Sequence, residues 1–396
     1  MDEGASGSTP TGGSVPLYVG LMSGMSRDGV DVALVAVADR GGDARTAEVL
    51  AGTTVPYDAA LRARLARAVE GDLAEVATLH YELPALWARA VADVLAAAGV
   101  QAEDVAAIGS HGQTVFHRPR QDGHPAVTLQ IGHGEALAVA TGIPVVSDFR
   151  ARDVIVGGEG APLVPLADLL LFGDADEERA CWNLGSIANV SVLPRVGPAT
   201  ARRAVLAFDT GPANTLIDAF ARAVDPDAID RDGEISARGR VDDDLLLDLW
   251  SRRAAWLRQA PPKSAGYATW GPALADELAS AHPDVSLEDR VRTAVEATAR
   301  MMRDAWEWHV RPGREELRRI LLSGGGCHNP TLVSAIRDAF ADLDLEVETV
   351  SPELIDLKEA VAFALLAHEA LHDRPGNIPA ATGAPRDMRL GTVHRP

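Results

Sequence analysis

Lysine is almost missing from this chain of 396 residues: Lys263 and Lys358 are the only two, and neither follows a glycine. A Walker A loop needs Gly-Lys-Ser/Thr to bring an ammonium to the phosphates of a nucleotide, and a protein kinase needs a strand lysine of the Val-Ala-Ile-Lys type. Both are excluded, so any ATP chemistry must run by another route. Cysteine is equally scarce. Cys181 and Cys327 cannot build a disulfide framework or a CxxC metal knuckle and read as two small buried thiols. Positive charge is in deficit, with 37 Lys+Arg against 57 Asp+Glu and a net charge of −20, a surface that repels nucleic-acid phosphates and anionic lipid. No apolar run nears the ~18 residues of a transmembrane helix. The opening MDEGASGSTPTGGSVP lacks the basic and apolar regions of a secretory signal. We therefore expect a cytoplasmic protein with a flexible tail over residues 1–16. Gly-x-Ser-x-Gly and Ser-x-x-Lys are absent too, which removes the common serine acyl-transfer signatures.

What is present is an ordinary globular composition, 47% apolar and 24% charged, arranged as strands alternating with helices. LYVGLM (17–22) and VDVALVAV (30–37) flank a turn-rich SGMSRDG and read as a hairpin. Helical spacing runs from Asp58 to Gly99, followed by short strands at 105–110, 126–132 and 143–149 with a helix between the last two. The second half repeats the grammar. WNLGSIANVSVL (182–193) reads as one strand and AVLAFDTG (204–211) as another, with helices at 214–224, 287–309 and 358–372 and a strand running into SGGGCHNP. The class is α/β. Two related lobes with a cleft between them account for the repetition: 17–160 plus 376–396 as the first lobe, 161–375 as the second. Glycines at 157, 158 and 160 and Pro375-Gly376 are the expected hinge points.

Three glycine-rich turns each follow an apolar strand: GLMSGMSRDG, AFDTGPAN and LLSGGGCHNP. Small side chains let backbone N–H groups converge on a phosphate without a lysine. Asp28 and Asp209 lie inside two of these turns, where a carboxylate can hold water or Mg²⁺ or serve as a base. One rival motif is His368-Glu369-Ala370-Leu371-His372, which fits the zinc-peptidase pattern His-Glu-x-x-His. It stands at the end of a helix with no evident third ligand and reads as part of a surface helix. His111, His117, His124 and His133 suit loops and turns better than a metal cluster.

GLMSGMSRDGVD, IGSHGQTVFHRP, TLQIG, VVSDFRARDVIVGGEGAPLVP, NLGSIANVS, FDTGPANTLIDA, PPKS, SGGGCHNP, KEAVAFALLA and NIPAATGA, in this order from Tyr18 to Gly391, resemble the anhydro-N-acetylmuramic acid kinase family. The resemblance implies two actin-like, ribonuclease-H-like lobes of the sugar-kinase and heat-shock-ATPase superfamily. It implies a phosphotransferase that uses ATP and Mg²⁺. Water opens the 1,6-anhydro ring at C1 while O6 takes the γ-phosphoryl, in the recycling of peptidoglycan sugars. Asp209 matches the family's catalytic aspartate. Gly24, Met25, Ser26, Arg27, Asp28, Gly29, Val30 and Asp31 match its first phosphate loop, and Gly211 with Gly324, Gly325 and Gly326 the other nucleotide turns. His111, Gln130, Asp148 and Arg150 fall in the segments lining its sugar pocket. No protein cluster for a metal is implied, Mg²⁺ arriving with ATP near Asp28. The implied partners are the anhydro sugar and ATP, with no nucleic acid or membrane; a homodimer is compatible with the pattern. Four departures stand out: Met25 for the family's threonine, Glu159 for glutamine, Ser186 for glycine, and PPKSAGYATW for Pro-Pro-Lys-Ser-Thr-Gly-Arg-Glu. They bear on the sugar recognised and the efficiency of transfer. Alternatives are a kinase for another anhydro sugar such as levoglucosan, a zinc peptidase, and a non-catalytic sugar or nucleotide sensor.

Overall fold

The computed structural model describes residues 15–24, 27–41, 44–118, 120, 124–196, 201–223 and 228–396. The flexible tail expected at 1–16 falls outside these, apart from Val15 and Pro16. Among the described residues twelve strands form two sheets. In chain order they are β1 (Leu17–Ser23), β2 (Gly29–Gly41), β3 (Ala44–Pro56), β4 (Val105–Arg118), β5 (Val127–Ile131), β6 (Val145–Ser147), β7 (Arg179–Leu184), β8 (Ile187–Leu193), β9 (Leu206–Pro212), β10 (Arg319–Ser323), β11 (Glu346–Thr349) and β12 (Thr392–His394).

The first sheet runs β3-β2-β1-β4-β6-β12, with β5 paired to the far end of β4, and the second runs β9-β8-β7-β10-β11. In both, three strands form an antiparallel meander, β1-β2-β3 and β7-β8-β9; β4 and β10 pair in parallel with β1 and β7, and β6 and β11 pair in parallel with β4 and β10. The same order with the same senses, once in each half of the chain, is what a duplicated α/β unit leaves behind. Each sheet thus presents the carboxyl ends of its parallel strands along one edge, where open α/β sheets bind ligands.

The strands depart from the sequence reading at several points: β4 runs on to Arg118 beyond the expected 105–110, and β3, β11 and β12 are additional. The stretch 182–193 is a hairpin, β7 and β8 turning at Gly185-Ser186; its apolar alternation runs on across the turn and hides it. β3 carries no apolar run, because as the last strand of its sheet it mixes threonine and glutamate with small apolar residues. The expected helix at 287–309 runs Leu287–Ala305 and ends in a π-helical turn over Trp306–Val310. None of the described helices is long and apolar enough to cross a membrane.

The lobes are held by two helices. Val164–Phe172 packs against β3 and β8, and Pro352–Leu371, placed in the second lobe by the sequence reading, lies on β1, β2 and β4 of the first sheet and against Val164–Phe172. One core runs through both, from Tyr18 and Phe149 to Leu193 and Phe363. Inside it Lys358 Nζ meets Asp168 Oδ1 at 3.0 Å, and Ser191 Oγ donates to Asp168 Oδ2 at 2.7 Å. Close approach demands glycine: a Cβ on Gly20 would sit 1.7 Å from the Ala360 carbonyl oxygen, and one on Gly109 2.0 Å from that of Phe363. Gly109→Ala should therefore push the helix off the sheet and cost about 1–3 kcal/mol, the range of overpacked cores, read as a lower urea midpoint at unchanged m-value.

Candidate active site

The loop that matches the family's first phosphate loop leaves the carboxyl end of β1. Ser23 Oγ lies 2.7 Å from Gln113 Oε1 and 2.9 Å from Tyr57 Oη, whose oxygen also accepts from Trp87 Nε1 at 2.9 Å. Gln113 Nε2 donates to the Gly24 carbonyl at 2.7 Å, and Tyr57 N to the Asp28 carbonyl at 2.8 Å. A glutamine on β4 and a tyrosine just past β3 thus bracket both ends of the loop. Met25 and Ser26 lie outside the described residues. Arg27 turns the chain at φ 58°, Asp28 is exposed, and Gly29 and Val30 are buried at the start of β2. Asp31 accepts from Thr54 Oγ1 at 2.6 Å. Burial, reinforced by the charges of Glu359, Asp28 and Asp356, pushes its carboxyl up to about 6. Among the described residues no three His, Cys, Asp or Glu side chains are grouped to hold a metal.

The residues expected on the sugar side separate into two kinds. His111 is buried, with Arg150 Nε donating to its Nε2 at 3.0 Å and Ser23 O at 3.2 Å from its Nδ1. Arg150 Nη1 also donates to the Gly160 carbonyl at 2.7 Å. Burial lowers the guanidinium to about 10, with Glu359 and Asp153 opposing, so it stays charged at neutral pH. Gln130 Nε2 donates to Thr128 Oγ1 at 2.8 Å on β5, beside β4. Asp148 is exposed, just past β6 and at φ 63°. The segment 157–160, where a hinge is expected, is hydrogen-bonded to its surroundings. Buried Asp153 accepts from Gly160 N, Asn377 Nδ2 and Thr382 Oγ1 at 2.8–2.9 Å, and Glu159 N donates to the Thr382 carbonyl at 2.7 Å. Glu159 itself accepts from Arg120 N at 2.7 Å.

In the second lobe Asp209 lies on β9, where its N–H donates to the Lys263 carbonyl at 3.1 Å and its Oδ2 accepts from Ala265 N at 2.7 Å. The altered segment PPKSAG therefore lies directly on the aspartate. Burial pushes Asp209 up to about 6, the Ala265 N–H and the Lys263 charge holding it from going higher. Lys263 Nζ donates to the Leu257 carbonyl at 2.7 Å and stands 4.5 Å from the Trp256 ring; burial lowers it to about 8. Gly211 pairs with Ala188 just past the Gly185-Ser186 turn, and the carbonyls of that turn accept the first amides of the Asn214–Arg222 helix. Gly324, at φ 86°, crosses so near β7 that a Cβ would meet Asn183 Oδ1 at 2.6 Å; Gly326 packs on Leu184, and Gly325 is open. The structure thus brings Asp209, Gly211 and the Gly324–Gly326 turn to one end of the second sheet.

Gln113, Tyr57 and Glu359 were not singled out by the sequence. Gln113 lies in a quoted motif, and its amide in a strand of otherwise small and apolar neighbours was the available signal. Glu359, one residue beyond buried Lys358, is held up by burial with Lys358 and Arg150 opposing.

The His-Glu-x-x-His helix is not a surface helix, as the sequence suggested. His368 is 2% exposed and Glu369 fully buried, because the helix fills the core between the sheets. Glu369 is engaged by Arg45 and Arg202, which leaves it no part in zinc chemistry. Cys181 is buried and Cys327 partly buried, and both are free thiols.

A family model for anhydro-N-acetylmuramic acid kinases matches residues 16–396. The anhydro-N-acetylmuramic acid kinase of Gloeobacter violaceus is 40% identical over 383 residues, covering 96% of this chain and 98% of that relative. The same enzyme of Xanthomonas campestris pv. campestris is 39% identical over 391 residues, with 98% and 99% covered. Among solved structures, a ROK family glucokinase from Streptomyces griseus with glucose and AMPPNP aligns over 89% of this chain and 99% of its own at 14% identity and a TM-score of 0.39. Matched along almost its whole length, the chain belongs to the anhydro-N-acetylmuramic acid kinase family.

Proposed function

We propose that the protein uses ATP to convert 1,6-anhydro-N-acetylmuramic acid to the 6-phosphate of N-acetylmuramic acid. The observation that carries this reading is Asp209, a carboxylate raised to about 6 at the end of the second sheet that carries two glycine turns. A base of that pKa is ionised at neutral pH yet basic enough to take a proton from water. Water attacks C1, its proton passes to Asp209, and the C1–O6 bond breaks with its electron pair going to O6. O6 then attacks the γ-phosphorus, and the bond to the β-phosphate oxygen breaks to release ADP. Gly24, Met25, Ser26, Arg27, Asp28 and Gly29 would hold the β- and γ-phosphates through backbone N–H groups, and Gly324, Gly325 and Gly326 the nucleoside side. Arg150 orients the sugar, with Gln130 and Asp148 at its periphery.

Asp28 and Asp31, whose carboxylates are hard oxygen ligands of the kind Mg²⁺ takes, would hold the ion at the first loop, and it would neutralise charge on the transferring group. The Asp31 carboxyl, held up first by burial and then by negative neighbours, is the kind of site a cation relieves. Such a reaction belongs in the cytoplasm, where ATP is supplied.

Pure protein with Mg-ATP and 1,6-anhydro-N-acetylmuramic acid should yield equimolar ADP and a reducing 6-phosphosugar. Phosphorylation of levoglucosan with a higher kcat/KM would shift the substrate to simpler anhydro sugars. Nucleotide binding without turnover of either sugar would leave a sensor.

A further inference from the structure

We propose that His111 is a positioning residue that couples the sugar-side arginine to the first phosphate loop. It reaches neither ligand itself and rests on the reading above only for what the two ends bind. The ring is 3% exposed and packs 4.7 Å from the Phe363 ring, centroid to centroid. Both of its nitrogens are occupied. Arg150 Nε, 3.0 Å from Nε2, carries only donors, so Nε2 must accept. The proton of the neutral ring therefore sits on Nδ1 and is donated to the Ser23 carbonyl at 3.2 Å. With both nitrogens spent, the imidazole has none left to hydrogen-bond a sugar hydroxyl, and the direct sugar contact expected of His111 gives way to one made through Arg150.

The result is a chain of hydrogen bonds from the Gly160 carbonyl through Arg150 and His111 to Ser23. Ser23 is the last residue of β1 and is itself bracketed by Gln113 and Tyr57. Moving Arg150 toward a sugar must pull on His111, and His111 on the carbonyl that opens the phosphate loop. A ring able to ionise would break this link, because His⁺ has no acceptor for Arg150. Burial, then the Arg150 charge, hold the ring down to about 3, which keeps one tautomer in place across the working range.

The two bonds differ in kind, which makes the proposal separable. The Arg150 bond has a charged donor, a class that contributes about 1.5–3 kcal/mol net, or roughly ten- to a hundredfold in affinity. The bond to the Ser23 carbonyl is neutral, about 0.5–1.5 kcal/mol or roughly two- to tenfold. Glutamine places an amide oxygen near the Nε2 position and can accept from Arg150, but loses the donor to Ser23. Asparagine keeps a donor near Nδ1 and loses the acceptor.

Calorimetry with AMPPNP and with the anhydro sugar, each alone and each with the other saturating, reads the two halves. H111Q should keep sugar affinity within about threefold and weaken the nucleotide roughly two- to tenfold; H111N should keep the nucleotide and weaken the sugar roughly ten- to a hundredfold. In both, the factor by which one ligand changes affinity for the other should fall toward one. A common loss on the same ligand in both variants, or a wild-type coupling factor retained in both, would overturn the proposal. A wild-type protein that does not bind the anhydro sugar would instead overturn the substrate reading. In that event, and if either variant fails to fold, ¹⁵N spectra of the wild-type imidazoles decide: a neutral Nδ1–H ring from pH 8 to about 4 supports the link, and an Nε2–H tautomer or titration near pH 6.5 rejects it.

Discussion

Asp209→Asn should lower kcat by about 10²–10⁴-fold, the contribution of a positioned general base, with AMPPNP affinity unchanged. The amide keeps the size of the carboxylate and can still accept from Ala265 N, so the fold around β9 should survive and only basicity is removed. Retention of more than about a tenth of wild-type turnover would assign the base elsewhere. The effect should fall on kcat and kcat/KM alike, as it does when an interaction made only in the transition state is lost.

The same residue sets the pH profile. The ionised carboxylate is the active form, so kcat/KM should rise with pH through about 6 and level off above it. Lys263, whose cation lowers Asp209, deprotonates near 8, and its loss of charge removes part of what keeps Asp209 acidic. Lys263→Met should accordingly move the acid limb of the profile to higher pH. An acid limb unmoved in that variant, or centred near 4 in the wild type, would show Asp209 to be more solvated than its surroundings imply.

The residues that nucleate this site were legible because local chemistry required them. A strand ending Phe208-Asp209-Thr210-Gly211 and a turn of three glycines can be read without neighbours, and the repeat of strand, glycine turn and helix in each half announced two lobes. What stayed hidden depends on long-range contact. The Gly185-Ser186 turn is masked by apolar alternation on both sides. Gln113 acquires its role only when β4 lies beside β1 and its amide meets Gly24, 89 positions away. Lys263 gives no hint by spacing that its backbone and charge both address Asp209. The helix carrying His368 and Glu369 read as a surface helix because its motif stands at a helix end with no third ligand, yet Gly20 and Gly109 let it sink onto the sheet, and its charges are met by arginines from two remote segments.

Those charges give the largest expected effect on stability. Glu369 is fully buried, with Arg45 Nε and Nη2 donating to its two oxygens at 2.9 and 3.2 Å, Arg202 Nη2 at 3.1 Å and His368 Nδ1 3.1 Å from Oε1. Burial alone would raise its pKa; the His368 hydrogen bond and the Arg45 and Arg202 charges more than offset it and bring the group to about 2. Removing one partner of a buried ionic cluster strands the others, at about 3–5 kcal/mol. Glu369→Gln, which keeps the shape but removes the buried negative charge that Arg45 and Arg202 share, should cost that much in urea unfolding. The pH dependence follows from a folded pKa below the ordinary glutamate value of 4.5. The stabilisation is complete above about 4.5 and is lost as pH falls toward 2, so the wild type should weaken over that window and the glutamine variant should lose this part of the slope. Glu369 lies ten residues along the helix from Glu359, roughly 15 Å at 1.5 Å per residue. Below its lowered melting range the variant should therefore keep wild-type kcat and KM. A Glu369→Gln protein as stable as wild type at neutral pH would mean that Asp39 and the Pro375 carbonyl, which Arg45 and Arg202 also engage, suffice for the two guanidiniums without the Glu369 charge.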